Sequence, residues 1–285
     1  MYGTSAFHCG GPGGTSSASF ANAISSHNIA NGKHPLNFKP THDLIAWRIR
    51  SLPLDALNCE FGLGAPMTTT HDSRSFFLEG PAGRLEAILW TPSSPARPPL
   101  SAVVCHPHPL FGGTMHNKVV YQTAKSLDAS GIPVLRFNFR GAGLSAGVHD
   151  RGRGEKHDVH AALDFLAGEF PGVPMLLAGF SFGAWVSLRV GCEHSRVSHL
   201  IGLGLPVNST DFSFLRQCNK PKLFVHGSND EHGAIAKVKA LIPTLPGENQ
   251  LVVVEGVDHF FAGKLHELNG AITKWLTASV FRLRH

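Results

Sequence analysis

A serine between two glycines is the residue whose type and setting point most clearly to chemistry. Gly179, Ser181 and Gly183 belong to the pentapeptide Gly-Phe-Ser-Phe-Gly. The apolar run before it, 175–178, has the length of a buried strand, and the apolar residues within 184–190 suit a helix. A strand, a sharp turn and a helix with serine at the apex form a nucleophile elbow, whose glycines allow a strained turn and close backbone contacts. Ser181 is therefore the predicted nucleophile.

A second pentapeptide, with Ser145 at its centre, matches the same pattern. It is followed by the segment 148–154, whose glycines and charged residues do not allow a helix to start promptly. The overlapping residues 141–146 also fit the glycine pattern of dinucleotide-binding proteins, which requires a helix that opens on the glycines. Both interpretations lack their structural setting, so Ser145 is predicted to be a turn residue.

A serine hydroxyl needs a base to become a good nucleophile, and the base needs an acid to orient it. In chains with a nucleophile elbow the order is serine, acid, histidine. Asp230 follows the apolar run 222–226, and His259 follows the apolar run 250–255. Because the carboxyl ends of parallel strands meet at one edge of a sheet, both side chains are expected beside Ser181. They are the predicted acid and base of a Ser–His–Asp triad.

Three neighbouring residues compete for these roles. Asp258 directly precedes His259, and adjacent side chains rarely face each other well enough for an orienting hydrogen bond. Glu231 is expected to open a helix, because the helix dipole favours a negative charge in the first turn. His226 lies at the end of a strand and is expected to be a packed or solvated histidine.

The third requirement is an oxyanion hole, in which two backbone N–H groups bind the charge that develops on the carbonyl oxygen. One donor is expected to be the N–H of Phe182, directly after the nucleophile. The other is expected from the proline-rich loop that follows an earlier strand. Proline has no N–H, which excludes Pro107 and Pro109. His108 is therefore predicted to donate through its backbone, with Leu110 as the alternative.

Together these segments resemble the α/β-hydrolase superfamily. The loop His106–Gly113, the turn Asn138–Ser145 and the elbow are most similar to compact bacterial hydrolases with an H-P-H-P-x-x-G-G loop, many described as predicted hydrolases or carboxylesterases. The resemblance covers about residues 72–282. It implies a mostly parallel eight-stranded sheet flanked by helices, and ester hydrolysis through an acyl-enzyme. Dienelactone hydrolases carry cysteine, and haloalkane dehalogenases aspartate, where this chain has Ser181.

The histidines also raise the question of a metal site. His106 and His108 follow a strand with His116 nearby, a spacing found in metallo-hydrolases. Such sites need further carboxylate or histidine ligands, and no aspartate follows at the expected place. Short histidine pairs are expected by chance in a chain with 18 histidines. No metal and no cofactor are predicted.

Composition favours a soluble enzyme. A hydrophobic content of 42% in 285 residues is enough for a sizeable core. The net charge of +5 comes from scattered basic residues, so no nucleic-acid partner is predicted. No apolar stretch is long enough to span a membrane, and no membrane partner is predicted. The five cysteines are widely spaced, which favours a reducing cytoplasm over a disulfide framework.

The first 66 residues differ from the rest. The segment 10–17 is of low complexity, little periodicity follows it, and no signal peptide is recognisable. Residues 1–66 are predicted to be a flexible or non-native extension, with a small partner-binding element as the alternative. A non-native origin is suggested by Met67, which is a plausible native start. Residues 67–285 are predicted to form the catalytic domain.

The order of predicted elements is that of a doubly wound α/β fold. The first two strands are expected to form an antiparallel hairpin that turns at residues 81–83. Strands are predicted at 74–79, 84–91, 100–105, 133–138, 174–179, 198–204, 221–226 and 249–255. Helices are predicted at 115–130, 155–168, 183–192, 232–241 and 264–279.

The substrate class follows from the loops near the expected site. Lids in this fold usually lie between the sixth strand and the next helix. Here the segment 206–220 is too short to form a lid. Aromatic residues expected to contact substrate are Phe111, Phe180, Trp185 and Phe260. An apolar, reachable site favours a small-molecule ester, and the prediction is a lidless serine carboxylesterase for short- to medium-chain esters. A thioesterase, amidase or small peptidase of the same fold, or a non-catalytic binding module, are the alternatives.

Overall fold

An eight-stranded sheet forms the centre of the computed structural model, which describes residues 71–94 and 97–281. The strands lie in the order β1-β2-β4-β3-β5-β6-β7-β8. The pairs β1–β2 and β2–β4 are antiparallel, and all the others are parallel. The strands are β1 (His71–Gly80), β2 (Gly83–Pro92), β3 (Ser101–Cys105), β4 (Val134–Phe137), β5 (Met175–Phe180), β6 (Val197–Leu203), β7 (Lys222–Gly227) and β8 (Asn249–Val254). The predicted α/β fold is confirmed.

Helices cover both faces of the sheet. They are α1 (Lys118–Ala129), α2 (Arg153–Glu169), α3 (Phe182–Glu193), α4 (Ile235–Leu241) and α5 (Leu265–Leu276). Apolar side chains of α2, α3 and α4 belong to one buried cluster, and those of α1 and α5 to another. Alternate residues of β5 join the two clusters, with Leu177 on one face and Leu176 on the other. A strand buried on both faces is the predicted setting for the nucleophile elbow.

The connections between the strands and helices agree with the predictions, apart from the length of the first hairpin turn and the starts of two helices. The hairpin pairs Gly80 with Gly83, so residues 81 and 82 alone form its turn. The connection after β6 contains only a short 3-10 turn, Ser213–Gln217, within the part of the chain that the structure describes. None of the described helices is long and apolar enough to cross a membrane. The predicted extension 1–66 lies outside the described residues, and the boundary near Met67 stays a prediction.

Two helices begin three residues later than predicted, and at each start a side chain accepts backbone N–H groups. Helix α1 begins at Lys118, since the Asn117 side chain accepts the N–H of Val119. Helix α4 begins at Ile235, since Asp230 Oδ1 accepts the N–H groups of two residues, 232 and 233. Such caps satisfy N–H groups that have no partner within the helix. The loop before α4 therefore bends around the Asp230 carboxylate.

A buried histidine fixes the loop after β3. His106 Nδ1 donates to the carbonyl of Pro107 at 2.6 Å, and Nε2 accepts the N–H of Phe139 at 2.9 Å. Burial lowers the pKa of His106 to about 4, against a smaller opposing effect of the Pro107 carbonyl. The ring is therefore neutral at physiological pH, and it joins the loop after β3 to the turn after β4.

The start of α3 packs directly against the end of β3. A Cβ atom added at Gly183 would overlap the carbonyl groups of Cys105 and His106. A Cβ added at Gly179 would in turn overlap the carbonyl of Gly183. Because the obstructing atoms are backbone, a side chain at either position would displace a strand end. These glycines are thus required by close backbone approach.

Gly183→Ala is expected to destabilise the protein, because the added methyl must push the loop after β3 away from α3. The expected loss is about 1–3 kcal/mol of the free energy of unfolding, measured by denaturant titration. The matched control is Gly270→Ala in α5, where nothing lies within 4 Å of the added Cβ. That variant should gain about 0.5–1 kcal/mol from helix propensity. Equal stability of the two variants would contradict the packing argument.

Acid should destabilise the protein through His106, whose pKa returns on unfolding to its ordinary value of 6.5. Between pH 6.5 and about pH 4 the unfolded chain binds a proton at this residue and the folded chain does not. The free energy of unfolding therefore falls as the pH is lowered, by about 2 kcal/mol for this residue between about pH 7 and about pH 5. Denaturant titrations at the two pH values measure the fall. In His106→Gln the fall should be smaller by that amount, and an unchanged fall would contradict the assignment.

Candidate active site

Ser181 occupies a strained turn between β5 and α3. Its φ of 56° and ψ of −120° lie in a region that residues other than glycine rarely adopt. The N–H of Ser181 donates to the carbonyl of Leu203 at 2.9 Å, which anchors the turn to β6. This geometry is that of a nucleophile elbow, and it presents the hydroxyl at the carboxyl edge of the sheet.

His259 lies between Ser181 and Asp230 in a continuous chain of hydrogen bonds. Its Nδ1 is 2.8 Å from Asp230 Oδ2, and its Nε2 is 2.8 Å from Ser181 Oγ. Because a carboxylate only accepts, Nδ1 donates and Nε2 is left to accept the serine proton. The ring is 2% exposed. The structure thus brings together the three residues that the sequence predicts as nucleophile, base and acid.

The carboxylate of Asp230 is held by its own loop. Oδ1 accepts the N–H groups of His232 at 2.8 Å and of Gly233 at 3.0 Å, which leaves Oδ2 for His259. Burial alone would raise the pKa of Asp230. The hydrogen bond and positive potential of His259, with smaller effects of His226 and the His232 N–H, outweigh burial and keep this pKa below its usual range. Asp230 is therefore ionised at neutral pH.

The competing residues have other contacts. Asp258 Oδ1 accepts the N–H groups of Phe260 and Ala262, so it shapes the loop after His259. The prediction that Glu231 opens a helix is wrong, because α4 begins at Ile235 and the Asp230 carboxylate accepts N–H groups of the intervening loop. One Glu231 oxygen instead lies 3.4 Å from the N–H of His259. His226 is buried, as one of its two predicted environments requires.

The two residues predicted as oxyanion donors, Phe182 and His108, line the same cavity as Ser181. The N–H of Phe182 is the first in α3, so it has no partner within its own helix. The N–H of His108 has no partner among the described residues. The alternative donor, Leu110, is engaged, because its N–H donates to His108 Nδ1 at 3.2 Å. The ring of His108 lies 4.9 Å from the ring of Phe182, which brings the two segments together.

The residues considered for a metal have other partners. Both ring nitrogens of His106 are hydrogen-bonded within the protein, as described above, and His108 Nδ1 accepts the N–H of Leu110. Within residues 71–94 and 97–281 no three His, Cys, Asp or Glu side chains are arranged to hold a metal ion. The His106 and His108 rings therefore organise the loop after β3.

A cavity of about 290 Å³ opens onto Ser181 and His259. Three of the predicted substrate contacts, Phe111, Trp185 and Phe260, line it. The other lining residues are Pro107, His108, Gly112, Gly113, Asn117, Phe182, Pro206, Ser209, Thr210 and His232. Among the described residues, the wall contains no carboxylate, lysine or arginine. Phe111 and Phe260 are 86% and 50% exposed, so the mouth is open to solvent.

The prediction that Phe180 contacts substrate is wrong. Its side chain is fully buried, and its ring lies 4.8 Å from that of His259. As the last residue of β5 it points into the core cluster that contains α1 and α5. The strained turn begins one residue later, at Ser181. Phe180 therefore packs against His259 from the core side and does not line the cavity.

Ser145 lies in a turn, eight residues before the start of α2 at Arg153. Its hydroxyl donates to the carbonyl of Asn138 at 2.7 Å and accepts the N–H of Glu86 at 3.0 Å. Both bonds are to backbone groups, and they join the turn after β4 to β2. This hydroxyl has a structural setting, and no histidine of the described segments is bonded to it.

Several lining residues were not singled out by the sequence. Pro206, Ser209 and Thr210 come from the connection after β6, which has no periodicity to mark its direction. His232 lies two residues after Asp230, and its ring is 4.5 Å from that of His259. Its position in the loop that carries the acid was the one available signal. The side of the cavity that these residues form depends on long-range packing.

Comparisons with known proteins identify the family to which this fold belongs. A model of the alpha/beta hydrolase domain matches residues 103–276. A protein of Rickettsia prowazekii described as uncharacterized is 39% identical over 209 residues, covering 70% of this chain and 87% of the relative. An alpha-beta serine hydrolase homologue from Coxiella burnetii is 39% identical with a TM-score of 0.67, covering 71% of this chain and 97% of that chain.

A solved structure from Xanthomonas campestris, described as an a/b serine hydrolase without lid, is 37% identical with a TM-score of 0.69. The match covers 73% of this chain and 95% of that chain. The domain model spans more than half of this chain, and the serine in its strained turn lies where the fold requires it. The chain belongs to the alpha/beta hydrolase family.

Proposed function

We propose that this protein is a serine carboxylesterase that hydrolyses short- to medium-chain carboxylic esters through an acyl-enzyme. The observation that carries the proposal is the hydrogen-bond chain from Ser181 through His259 to Asp230. Each residue has the contact that its role requires, since the serine proton faces a free imidazole nitrogen and the other nitrogen faces a carboxylate. The reaction needs no metal and no cofactor.

In the first half-reaction Ser181 Oγ attacks the ester carbonyl while His259 Nε2 takes the hydroxyl proton. The carbonyl oxygen becomes negative and is bound by the N–H groups of Phe182 and His108. Asp230 stabilises the imidazolium without taking its proton. His259 then gives this proton to the departing alcohol, which leaves an acyl group on the serine.

In the second half-reaction water replaces the alcohol. His259 removes a proton from the water, whose oxygen attacks the acyl carbon, and the same two N–H groups bind the oxyanion. Collapse of the intermediate breaks the bond to Ser181 Oγ, which regains its proton from His259. The products are a carboxylic acid and an alcohol, and the enzyme returns to its starting state.

The walls of the cavity favour uncharged substrates of modest size. Apolar surfaces come from Phe111, Phe182, Trp185 and Phe260, and none of the described residues that line the cavity carries a fixed charge. Trp185 is held in place, since its Nε1 donates to the carbonyl of Asp211 at 3.2 Å. About 290 Å³ accommodates a short or medium acyl chain, and an open mouth admits substrate without a moving lid.

Further support comes from the relatives. The structures from Coxiella burnetii and Xanthomonas campestris are described as serine hydrolases or their homologues, the second without a lid. We further propose a cytoplasmic location, because the three cysteines of the described segments are free thiols. The catalytic domain is proposed to begin near Met67, so that residues 1–66 contribute no catalytic group.

The proposal predicts hydrolysis of p-nitrophenyl esters, with esters from acetate to hexanoate cleaved at higher kcat/KM than dodecanoate. The reason is the limited cavity and the connection after β6, in which the described residues form only a short 3-10 turn. Release of p-nitrophenol measures the rate. Ser181→Ala should lose at least about three orders of magnitude of kcat, as deletions of a triad residue do.

Ser145→Ala is the control, since its hydroxyl braces a turn and should leave kcat within a few-fold of the original in the folded protein. Loss of activity in Ser145→Ala with retention in Ser181→Ala would reject the assignment of the nucleophile. A preference for dodecanoate would reject the substrate class. Cleavage of thioesters or amides in place of esters would indicate one of the alternative hydrolases. If none of these substrates is cleaved, the protein is a binding module.

A further inference from the structure

A second buried histidine lies beside the carboxylate of Asp230 and has no step in the mechanism above. His226 belongs to β7, its side chain is fully buried, and its Nε2 is 3.5 Å from Asp230 Oδ2. The same oxygen accepts the hydrogen bond of His259. The order Ser181, His259, Asp230, His226 thus extends the chain of contacts by one imidazole.

Hydrogen bonds fix the protonation state of His226. Nδ1 accepts the N–H of Leu205 at 3.2 Å, so it carries no proton. Nε2 lies 2.6 Å from the carbonyl of Gly233 and must therefore carry the proton and donate it. Burial lowers the pKa of His226, against the smaller raising effects of the Gly233 carbonyl and Asp230. The ring is neutral at physiological pH and uses both nitrogens.

These two bonds connect the loops on either side of His259. On one side, a Cβ atom added at Gly204 would lie 3.2 Å from the His259 ring, so the residue that follows β6 lies close to the base. Leu205, the next residue, donates to His226. On the other side is the loop of Asp230, which accepts the bond from Nδ1 of His259.

Gly233 is where the second loop is fixed. Its N–H donates to Asp230 Oδ1 at 3.0 Å, and its carbonyl accepts from His226 Nε2. A Cβ atom added here would overlap the carbonyl of Leu205 and approach the His226 ring. The imidazole and the two loops are therefore packed without spare room, and displacement of Gly233 would change the direction of the Asp230 carboxylate.

We propose that His226 is a positioning residue, a neutral cross-link between the loop after β6 and the loop after β7 that keeps Asp230 Oδ2 facing His259 Nδ1. It touches neither substrate nor the reacting atoms, and it exchanges no proton during the reaction. The inference rests on the proposed function for its kinetic consequences. Its structural consequence, the Asp230–His259 hydrogen bond, is measurable without turnover.

His226→Leu removes both hydrogen bonds and replaces the imidazole with an apolar side chain of moderate size. The Asp230 carboxylate should then orient His259 poorly, and kcat should fall about tenfold or more at nearly unchanged KM. A carboxylate favours the protonated imidazole, so a weaker contact should also move the acid limb of kcat/KM to lower pH. Loss of folded protein alone would lower the rate equally at every pH and leave the limb in place.

Two further variants distinguish a positioning role of His226 from a general effect on the stability of the protein. His226→Gln offers an amide N–H to the Gly233 carbonyl and should recover a large part of kcat and the original limb. His199→Leu is the matched control, because His199 lies at the opposite end of β6, where its Nδ1 contacts Ser198 Oγ at 2.9 Å. That variant should leave kcat and the limb unchanged in the folded protein.

The proton on His259 Nδ1 gives a readout that needs no substrate. Bound to a carboxylate, it should produce a strongly downfield proton NMR signal in the unaltered protein, in His226→Gln and in His199→Leu. The signal should shift or disappear in His226→Leu. An unchanged signal, limb and kcat in His226→Leu would overturn the proposal. A signal that responds to His226 in a protein that cleaves no ester would reject the proposed function and retain the positioning role.

Discussion

The backbone of Ser181 is the constraint on which the rest of the site depends. A serine at φ 56° and ψ −120° is unfavourable by about 1–3 kcal/mol, and such a conformation persists only where its surroundings impose it. Here β5 is buried on both faces, α3 packs against the end of β3, and Gly179 and Gly183 allow the backbones to touch. The strain places the hydroxyl above the sheet, where the loops after β7 and β8 supply Asp230 and His259.

Loops that carry chemistry at the edge of a sheet need fixed backbones, and two neutral histidines meet this need. His106, at the end of β3, holds the loop that contains the proposed oxyanion donor His108. His226, at the end of β7, holds the loop that contains Asp230. In each ring one nitrogen donates to a carbonyl and the other accepts an N–H from a different segment. Burial keeps both rings neutral, so they connect loops without adding charge beside the triad.

Local sequence patterns predicted the strands and the order of the site residues, because short apolar runs and a serine–acid–histidine order are local or linear features. The wrong expectations concern direction and partners. Whether Phe180 faces the core or the cavity depends on the face of β5 that its side chain occupies, and the turn at the next residue decides this. The start of α4 depends on Asp230, whose carboxylate takes the N–H groups that a helix would otherwise leave free. The roles of His106 and His226 depend on Phe139 and Leu205, distant along the chain, and no pattern within either strand reveals them.

Covalent labelling with a fluorophosphonate tests the central claim most directly, because the reagent requires an activated serine and an oxyanion site and no knowledge of the natural substrate. Peptide mass spectrometry of the labelled protein should locate one adduct, on Ser181. The adduct should be absent from Ser181→Ala, present in Ser145→Ala, and formed much more slowly in His259→Ala. Labelling that persists in Ser181→Ala, or an adduct on a different serine in the unaltered protein, would contradict the account.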